Sequence, residues 1–336
     1  MTRRGKRLAA QLAGIAISLA LLVYLFYRVD YSELTDALRE ANYWWLIPNI
    51  VLIMVTMIFR AYRWKHMIWP IKAIRLERLF SITMIGFMAN NILPFRLGEF
   101  VRAYSLSAKE DVSKSASLAT IFVERIVFDL LALLVIFGLV LAFSPLILND
   151  ELVAGSIVTI AVALLGLILT LYLSRRAHRE SHILRRIIGF FPSRAGGFIE
   201  RIVARFATGM DFMRDWRRVF WATYHTFMIW VIMGVSNYFI LLAFGLKLPL
   251  AASFVILVVV SILIMVPASP GFIGVYHYGA VLSLGFYGVS QSAALSCSIV
   301  MHATQYLVVT LVGLYYLRRE HLSLRQIETE AEGNEL

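Results

Sequence analysis

Long apolar runs alternate with short charged segments along the chain. They are Leu8 to Tyr27, Tyr43 to Phe59, Leu79 to Leu93, Ala116 to Phe143, Leu152 to Leu173, Val219 to Phe244, Leu250 to Val266, Phe272 to Tyr287 and Ala293 to Leu317. A helix of about 20 residues spans roughly 30 Å of hydrocarbon, and most of these runs match that length. The pattern predicts an all-α, polytopic membrane helix bundle. The first run follows Arg3, Arg4, Lys6 and Arg7, as in a signal peptide. It is too long for a cleavable segment, however, and no small-x-small site precedes Arg28, so it reads as an uncleaved first span.

Two runs are broken by proline and polar residues. Leu79 to Leu93 ends in Asn90-Asn91-Ile92-Leu93-Pro94 and continues into Arg96, Glu99 and Arg102. Proline interrupts the helical ladder, and the polar continuation is unsuited to lipid contact, so a re-entrant hairpin is expected here. Pro267-Ala268-Ser269-Pro270-Gly271 breaks a later run in the same way. Aligning the chain with itself lays Pro94-Phe95-Arg96-Leu97-Gly98 on Pro270-Gly271-Phe272-Ile273-Gly274, and Glu124 on His302. Read with the charge-derived orientation, this is an inverted repeat. Paired helix breaks in inverted repeats create a polar site near the midplane of many transporters.

Charge sets the orientation. Lys and Arg cluster beside the apolar runs, most densely between Ser174 and Arg218, where 11 arginines face 4 acids. Asp30 to Asn42 and Pro145 to Glu151 are acidic. By the positive-inside rule, six crossings and two hairpins result, with both termini cytoplasmic. The membrane domain covers residues 1–319, including the basic loop 174–218, and a polar cytoplasmic tail covers 320–336. The composition agrees: 60% hydrophobic, 16% charged, mean hydropathy +0.76, against about a quarter charged in soluble domains. The net charge of +11 therefore reads as membrane anchoring and not nucleic-acid binding. The expected partners are membrane lipids, with a lipid-modifying enzyme or a second copy of the chain as further possibilities.

Candidate chemistry lies in three places. The first is Asn90, Asn91, Pro94, Arg96, Glu99 and Arg102. An ionisable side chain at membrane depth is costly unless paired or hydrated, and a guanidinium matches phosphate oxygens. The alternative is that Glu99 and Arg102, at i,i+3 spacing, simply pair with each other in the interface. The second is Glu124, Arg125 and Asp129. Arg125 and Asp129 are spaced i,i+4 as a structural pair, which leaves Glu124 in need of Arg96 or Arg102. The third is the second break: Ser269, Pro270, Gly271, Gly274 and Tyr278. Freed backbone groups there must face a cavity or protein, unless the break is a plain kink between packed helices. His302, His277, Gln305, Asn237 and His225 are weaker candidates, because lone polar residues in spans more often tie helices together.

No catalytic residue, cofactor or metal is expected. Cys297 is the chain's one cysteine, which excludes an intrachain disulfide or a cysteine metal site, and the histidines lack companion ligands at short spacing. There is no Gly-rich phosphate loop and no nucleophile elbow.

Taken in order, Asn91-x-x-Pro94-x-Arg96-x-Gly98-Glu99-x-x-Arg102, Glu124-Arg125-x-x-x-Asp129 and Pro267-x-Ser269-Pro270-Gly271-x-x-Gly274 resemble a flippase-like integral-membrane family. That family is typified by the transmembrane region of lysylphosphatidylglycerol synthases. The resemblance covers Leu8 to Leu317 and implies translocation of an anionic or polyprenyl-linked lipid across a bacterial or archaeal inner membrane. No large soluble domain follows Arg319, so aminoacyl transfer is not expected. The competing expectation is a membrane-embedded enzyme, or an accessory subunit, of lipid glycosylation or modification.

Overall fold

The structure, a computed structural model, describes residues 3–93, 97–143, 208–265 and 269–323, together with 158, 161 and 165. The expected span Leu152 to Leu173, most of the arginine-rich loop, the tail beyond residue 323, and Pro94, Arg96 and Pro267 lie outside the described residues. Among the described residues the chain is all-α. The helices are α1 (Arg3–Tyr27), α2 (Tyr31–Glu40), α3 (Leu46–Ile68), α4 (Leu76–Ile92), α5 (Gly98–Glu110), α6 (Lys114–Val123), α7 (Leu130–Phe143), α8 (Trp216–Ala243), α9 (Leu250–Leu263), α10 (Val275–Gly285) and α11 (Gln291–Arg319). A π-helical turn, Glu124–Asp129, joins α6 to α7.

Polar caps begin several of these helices. A side chain at the cap satisfies backbone amides that have no partner within the helix. Asp30 does this for α2, Asp215 for α8 and Ser290 for α11. Asp215 accepts from the Arg217 amide at 3.0 Å, which starts α8 ahead of the apolar run at Val219.

Among the described residues three helical segments are long and apolar enough to cross a membrane: Tyr43–Ile68, α8 and α11. With α1 and α2, bent at 92° to each other, there are up to four. α3 and α8 run antiparallel along their full lengths. Asn49 Nδ2 donates to Ser236 O and Oγ at 2.9 Å near one end, and Arg63 donates to Thr226 Oγ1 at 3.0 Å near the other. α4 lies against α11 so closely that a Cβ on Gly313 would strike the side chain of Met88 and the Met84 carbonyl.

The two broken segments each fold into a helix pair. α4 and α5 meet at Gly86 and Gly98, where a Cβ on either would collide with the other helix. α10 lies against α9 through Gly279, beside Val260 and Leu263. In the second break, a 3₁₀ turn at Pro270–Phe272, Gly271 has φ 68° and Gly274 has φ 91°. Gly271 packs against the Asn91 carbonyl and the Tyr306 ring, and Gly274 against Ser18 of α1. Both glycines combine a left-handed φ with close backbone approach, a combination side-chain-bearing residues rarely tolerate. The two breaks therefore meet. The order of long helix, broken pair, long helical rod occurs twice: α3, α4 with α5, α6 through α7, and then α8, α9 with α10, α11.

One reading of the sequence is corrected. Arg60 and Arg63 stand where the second apolar run ends, and the sequence pattern places them, with Lys65, Lys72, Arg75 and Arg78, in a basic cytoplasmic segment beyond Phe59. α3 instead continues to Ile68, and both arginines are buried within the bundle. The reason is the face they share: Met57, Ala61, Trp64 and Ile68 continue the inward apolar stripe past Arg60.

Candidate functional site

The interior of the bundle contains a connected set of ion pairs. Glu124, at the start of the π-helical turn, receives Arg102 bidentately, Nη1 to Oε1 at 3.1 Å and Nη2 to Oε2 at 3.2 Å. Arg63 Nη2 lies 2.9 Å from the same Oε1, and both side chains are fully buried. Arg63 Nη1 reaches Asp129 Oδ1 at 2.5 Å. Arg125 Nη1 reaches Asp129 Oδ2 at 3.2 Å, and its Nη2 reaches Glu99 Oε1 at 3.3 Å. Asn90 completes the group: its Oδ1 accepts from the Gly98 amide at 2.8 Å, and its Nδ2 donates to Glu99 at 3.4 Å. The set contains Arg63, Arg102 and Arg125 against Glu99, Glu124 and Asp129, so its formal charge is zero.

Local structure makes this arrangement possible. Positions i and i+5 in an α-helix point roughly 140° apart, so Glu124 and Asp129 would face different ways. The π-helical turn between them inserts extra backbone, and both carboxylates reach Arg63. Such single-turn insertions often mark functional positions. The Arg102 guanidinium also lies over the Trp64 ring at 4.3 Å, and the Trp64 indole donates to Thr120 Oγ1 at 2.9 Å. The small residue at Gly86 leaves room for the aliphatic part of Arg102. Charge neutralisation and fork geometry offset the desolvation of each ion, the condition under which buried charges are tolerated.

The expected residues divide between this set and the second break. Asn90, Glu99, Arg102, Glu124, Arg125 and Asp129 fall together. The Glu99–Arg102 pair considered from spacing does not form; Glu99 turns to Arg125 and Arg102 to Glu124. Asn91 stands at the meeting of the breaks, donating to Thr310 Oγ1 at 3.0 Å and facing Gly271. Ser269 accepts no role beside the charges: its amide donates to Ser18 Oγ at 3.0 Å and its hydroxyl to the Ile273 carbonyl at 2.9 Å. Pro270 opens the 3₁₀ turn. Gly274 packs on α1, and Tyr278 makes an edge contact with Tyr24 of that helix. His302 stacks on Tyr276 at 4.5 Å and lies 3.4 Å from His277. Among the described residues no group of histidines and acids is arranged to hold a metal ion.

Arg60 and Arg63 are the functional candidates that sequence reasoning passed over. Arg60 lies one turn from Arg63 on α3. Its guanidinium stands over the Phe87 ring at 4.8 Å, and Arg125 lies over the same ring at 5.3 Å. Its Nη2 contacts the Met233 sulfur at 3.2 Å. Nε and Nη1 have no hydrogen-bond partner, and no carboxylate lies within 4 Å among the described residues. Arg60 borders a cavity of about 40 Å³ whose polar lining includes Asn49, Thr56, Ser236, Asn237 and Gln305.

Long apolar helices, broken pairs that meet, and ion pairs at membrane depth define an integral membrane helix bundle built around a polar interior. The family model described as the lysylphosphatidylglycerol synthase TM region matches residues 11–313, and the chain belongs to that family. Relatives include a UPF0104 membrane protein of Methanothermobacter thermautotrophicus, 23% identical over 89% of this chain and 92% of that protein. A second UPF0104 membrane protein of that organism is 25% identical over 93% of each chain. Glycosyltransferase AglD of Haloferax volcanii is 24% identical over 90% of this chain but 53% of its own length, so the chain spans about half of that relative. No solved structure gives a significant match.

Proposed function

We propose that the protein moves a polar-headed lipid between leaflets of the plasma membrane of a bacterium or archaeon, without itself performing catalysis. The observation that carries this reading is the junction of the two helix breaks at Asn91 and Gly271, on the helix pair that also supplies Glu99 and Arg102 to the buried ion pairs. Discontinuous helices that meet beside charges at membrane depth give a polar headgroup a route that lipid tails alone would refuse. The repeated element order supports an inverted repeat in which each broken pair re-enters the membrane. The basic segments flanking the spans support cytoplasmic termini. Membrane lipids are the partners, and a second copy of the chain is compatible with this reading.

Proteoliposomes carrying fluorescent phosphatidylglycerol test it. The wild-type protein should expose inner-leaflet label to an external quencher faster than empty liposomes do. Glu124→Gln, which unbalances the ion pairs, should slow that exchange at least tenfold. A wild-type rate equal to that of empty liposomes sinks the proposal.

The match to AglD favours a second reading: service to a lipid-glycosylating or other lipid-modifying enzyme. Under that reading the chain binds the same lipid class and delivers it to the enzyme. Product formation from lipid and a sugar donor on addition of the purified chain alone would make the chain an enzyme in its own right.

A further inference from the structure

The buried ion pairs are balanced, three cations to three anions, but Arg60 stands beside them and forms no ion pair among the described residues. It is 6% exposed. A guanidinium so placed loses water contacts that cation–π attraction to Phe87 replaces only in part. Its Nε and Nη1 have no hydrogen-bond partner among the described residues, and each carries N–H groups that can donate singly to an oxyanion.

The surroundings of Arg60 suit an anion. Asn49, Ile53, Thr56, Met57 and Arg60 lie on one face of α3, and the cavity runs between that face, α8 and α11. Asn237 of α8 and Gln305 of α11 line it, and neither side chain has a hydrogen-bond partner among the described residues. Both carry amide N–H groups that donate to oxyanions. Thr56 and Gln305 lie near the middles of two candidate membrane spans, Tyr43–Ile68 and Gln291–Arg319, so the cavity sits at mid-depth. Its volume of about 40 Å³ is room for about three waters at ~10–15 Å³ each. That is comparable to one phosphate group and too small for an acyl chain.

We propose that Arg60, with Asn237 and Gln305, forms an oxyanion site that takes the phosphate of a lipid headgroup while the acyl chains stay in the bilayer. The lipid as source of that phosphate rests on the translocation reading; the oxyanion site itself rests on the two unpartnered guanidinium nitrogens of Arg60 and the polar cavity. Bound phosphate neutralises the surplus cation, which the sealed ion pairs one turn away do not need.

Native mass spectrometry of the purified, detergent-solubilised protein tests this with three probes: dioleoyl-phosphatidylglycerol, dioleoylglycerol and inorganic phosphate. The wild type should prefer phosphatidylglycerol over dioleoylglycerol at least tenfold. Arg60→Met should abolish that preference, and Asn237→Leu with Gln305→Leu should lower it several-fold. Arg60-dependent binding of inorganic phosphate alone would overturn the lipid as source. Equal binding of both phosphate-bearing probes by wild type and by an Arg60→Met protein of unchanged unfolding temperature overturns the site. If Arg60→Met does not fold, an unchanged preference in the Asn237→Leu, Gln305→Leu protein does the same. Arg60-dependent lipid binding without leaflet exchange would remove the translocation reading and leave this site standing. Exchange without Arg60-dependent binding would do the reverse.

Discussion

Arg60 and Arg63 lie one helical turn apart on α3, and their surroundings differ in almost every respect. Arg63 is held by two carboxylates and a threonine hydroxyl. Arg60 has an aromatic face, a sulfur and a polar cavity. A charge locked into a balanced network contributes to the unique arrangement of helices, because its removal leaves opposite charges buried without partners. A charge left unpaired destabilises the empty protein and is relieved when an anion arrives. The contrast separates groups that build the bundle from a group available to a ligand, although both are arginines at similar depth.

The sharpest way to break this comparison is to replace each arginine by methionine, which keeps length and apolar volume. Arg63→Met strands Glu124 and Asp129 with one guanidinium each. Loss of one member of a buried ion group costs about 3–5 kcal/mol, so a large fall in unfolding temperature is expected for the purified protein. Arg60→Met removes a desolvated charge without breaking an ion pair, and the lipid-free protein should be as stable as wild type or more so. If both variants lose the same stability, Arg60 belongs to the structural network and the distinction fails.

The next effect is at the glycine beneath Arg102. A Cβ at Gly86 would overlap the Arg102 side chain and approach the Gly98 carbonyl. Overpacking of a filled interior costs about 1–3 kcal/mol. Gly86→Ala should therefore shift Arg102 off Glu124 and lower the unfolding temperature less than Arg63→Met. The same substitution should leave phosphatidylglycerol binding at the Arg60 cavity near wild type, since Gly86 faces α5 and not that cavity. Binding lost in parallel with stability would show that the two regions are one unit.

Much of this architecture is legible in the residues, for reasons that also explain what is not. Glu124, Asp129 and Arg102 stand out because ionisable side chains interrupt apolar sequence, and burial demands partners for them. Gly271 and Gly274 announce a break through the prolines around them. Arg60 and Arg63 escape notice because they abut Lys65 and Lys72, and a span read by hydropathy ends at the first of several cations. The available signal is periodicity: the inward positions Met57, Ala61, Trp64 and Ile68 remain apolar beyond Arg60. The π-helical turn leaves no such mark. Helical spacing favours the Arg125–Asp129 pair, and only tertiary contacts with Arg63 show that Glu124 and Asp129 face one cation. The meeting of Asn91 with Gly271 is likewise a contact between distant segments, which no local pattern specifies.

The smallest expected effect lies at the periphery, where a charge answers to solvent and not to the buried network. Asp30 caps α2; its carboxylate accepts from the Ser32 hydroxyl and from the Ser32 and Glu33 amides. The Ser32 hydroxyl first, and then the two amides, hold the Asp30 pKa below its ordinary value. A carboxylate whose folded pKa is depressed contributes its stabilisation above the unfolded value, near 3.9, and loses it as pH falls through the folded value. Hydrogen exchange at the first amides of α2 should therefore be protected to a constant degree at neutral pH and lose protection as the pH drops below about 4. Asp30→Asn keeps a capping oxygen without the titration, so its protection should not vary over that range. The ion pairs around Arg63, shielded from water by the bundle, should keep their amides protected at pH values where α2 has begun to fray. Simultaneous loss at both places would mean that the α2 cap and the buried network open together.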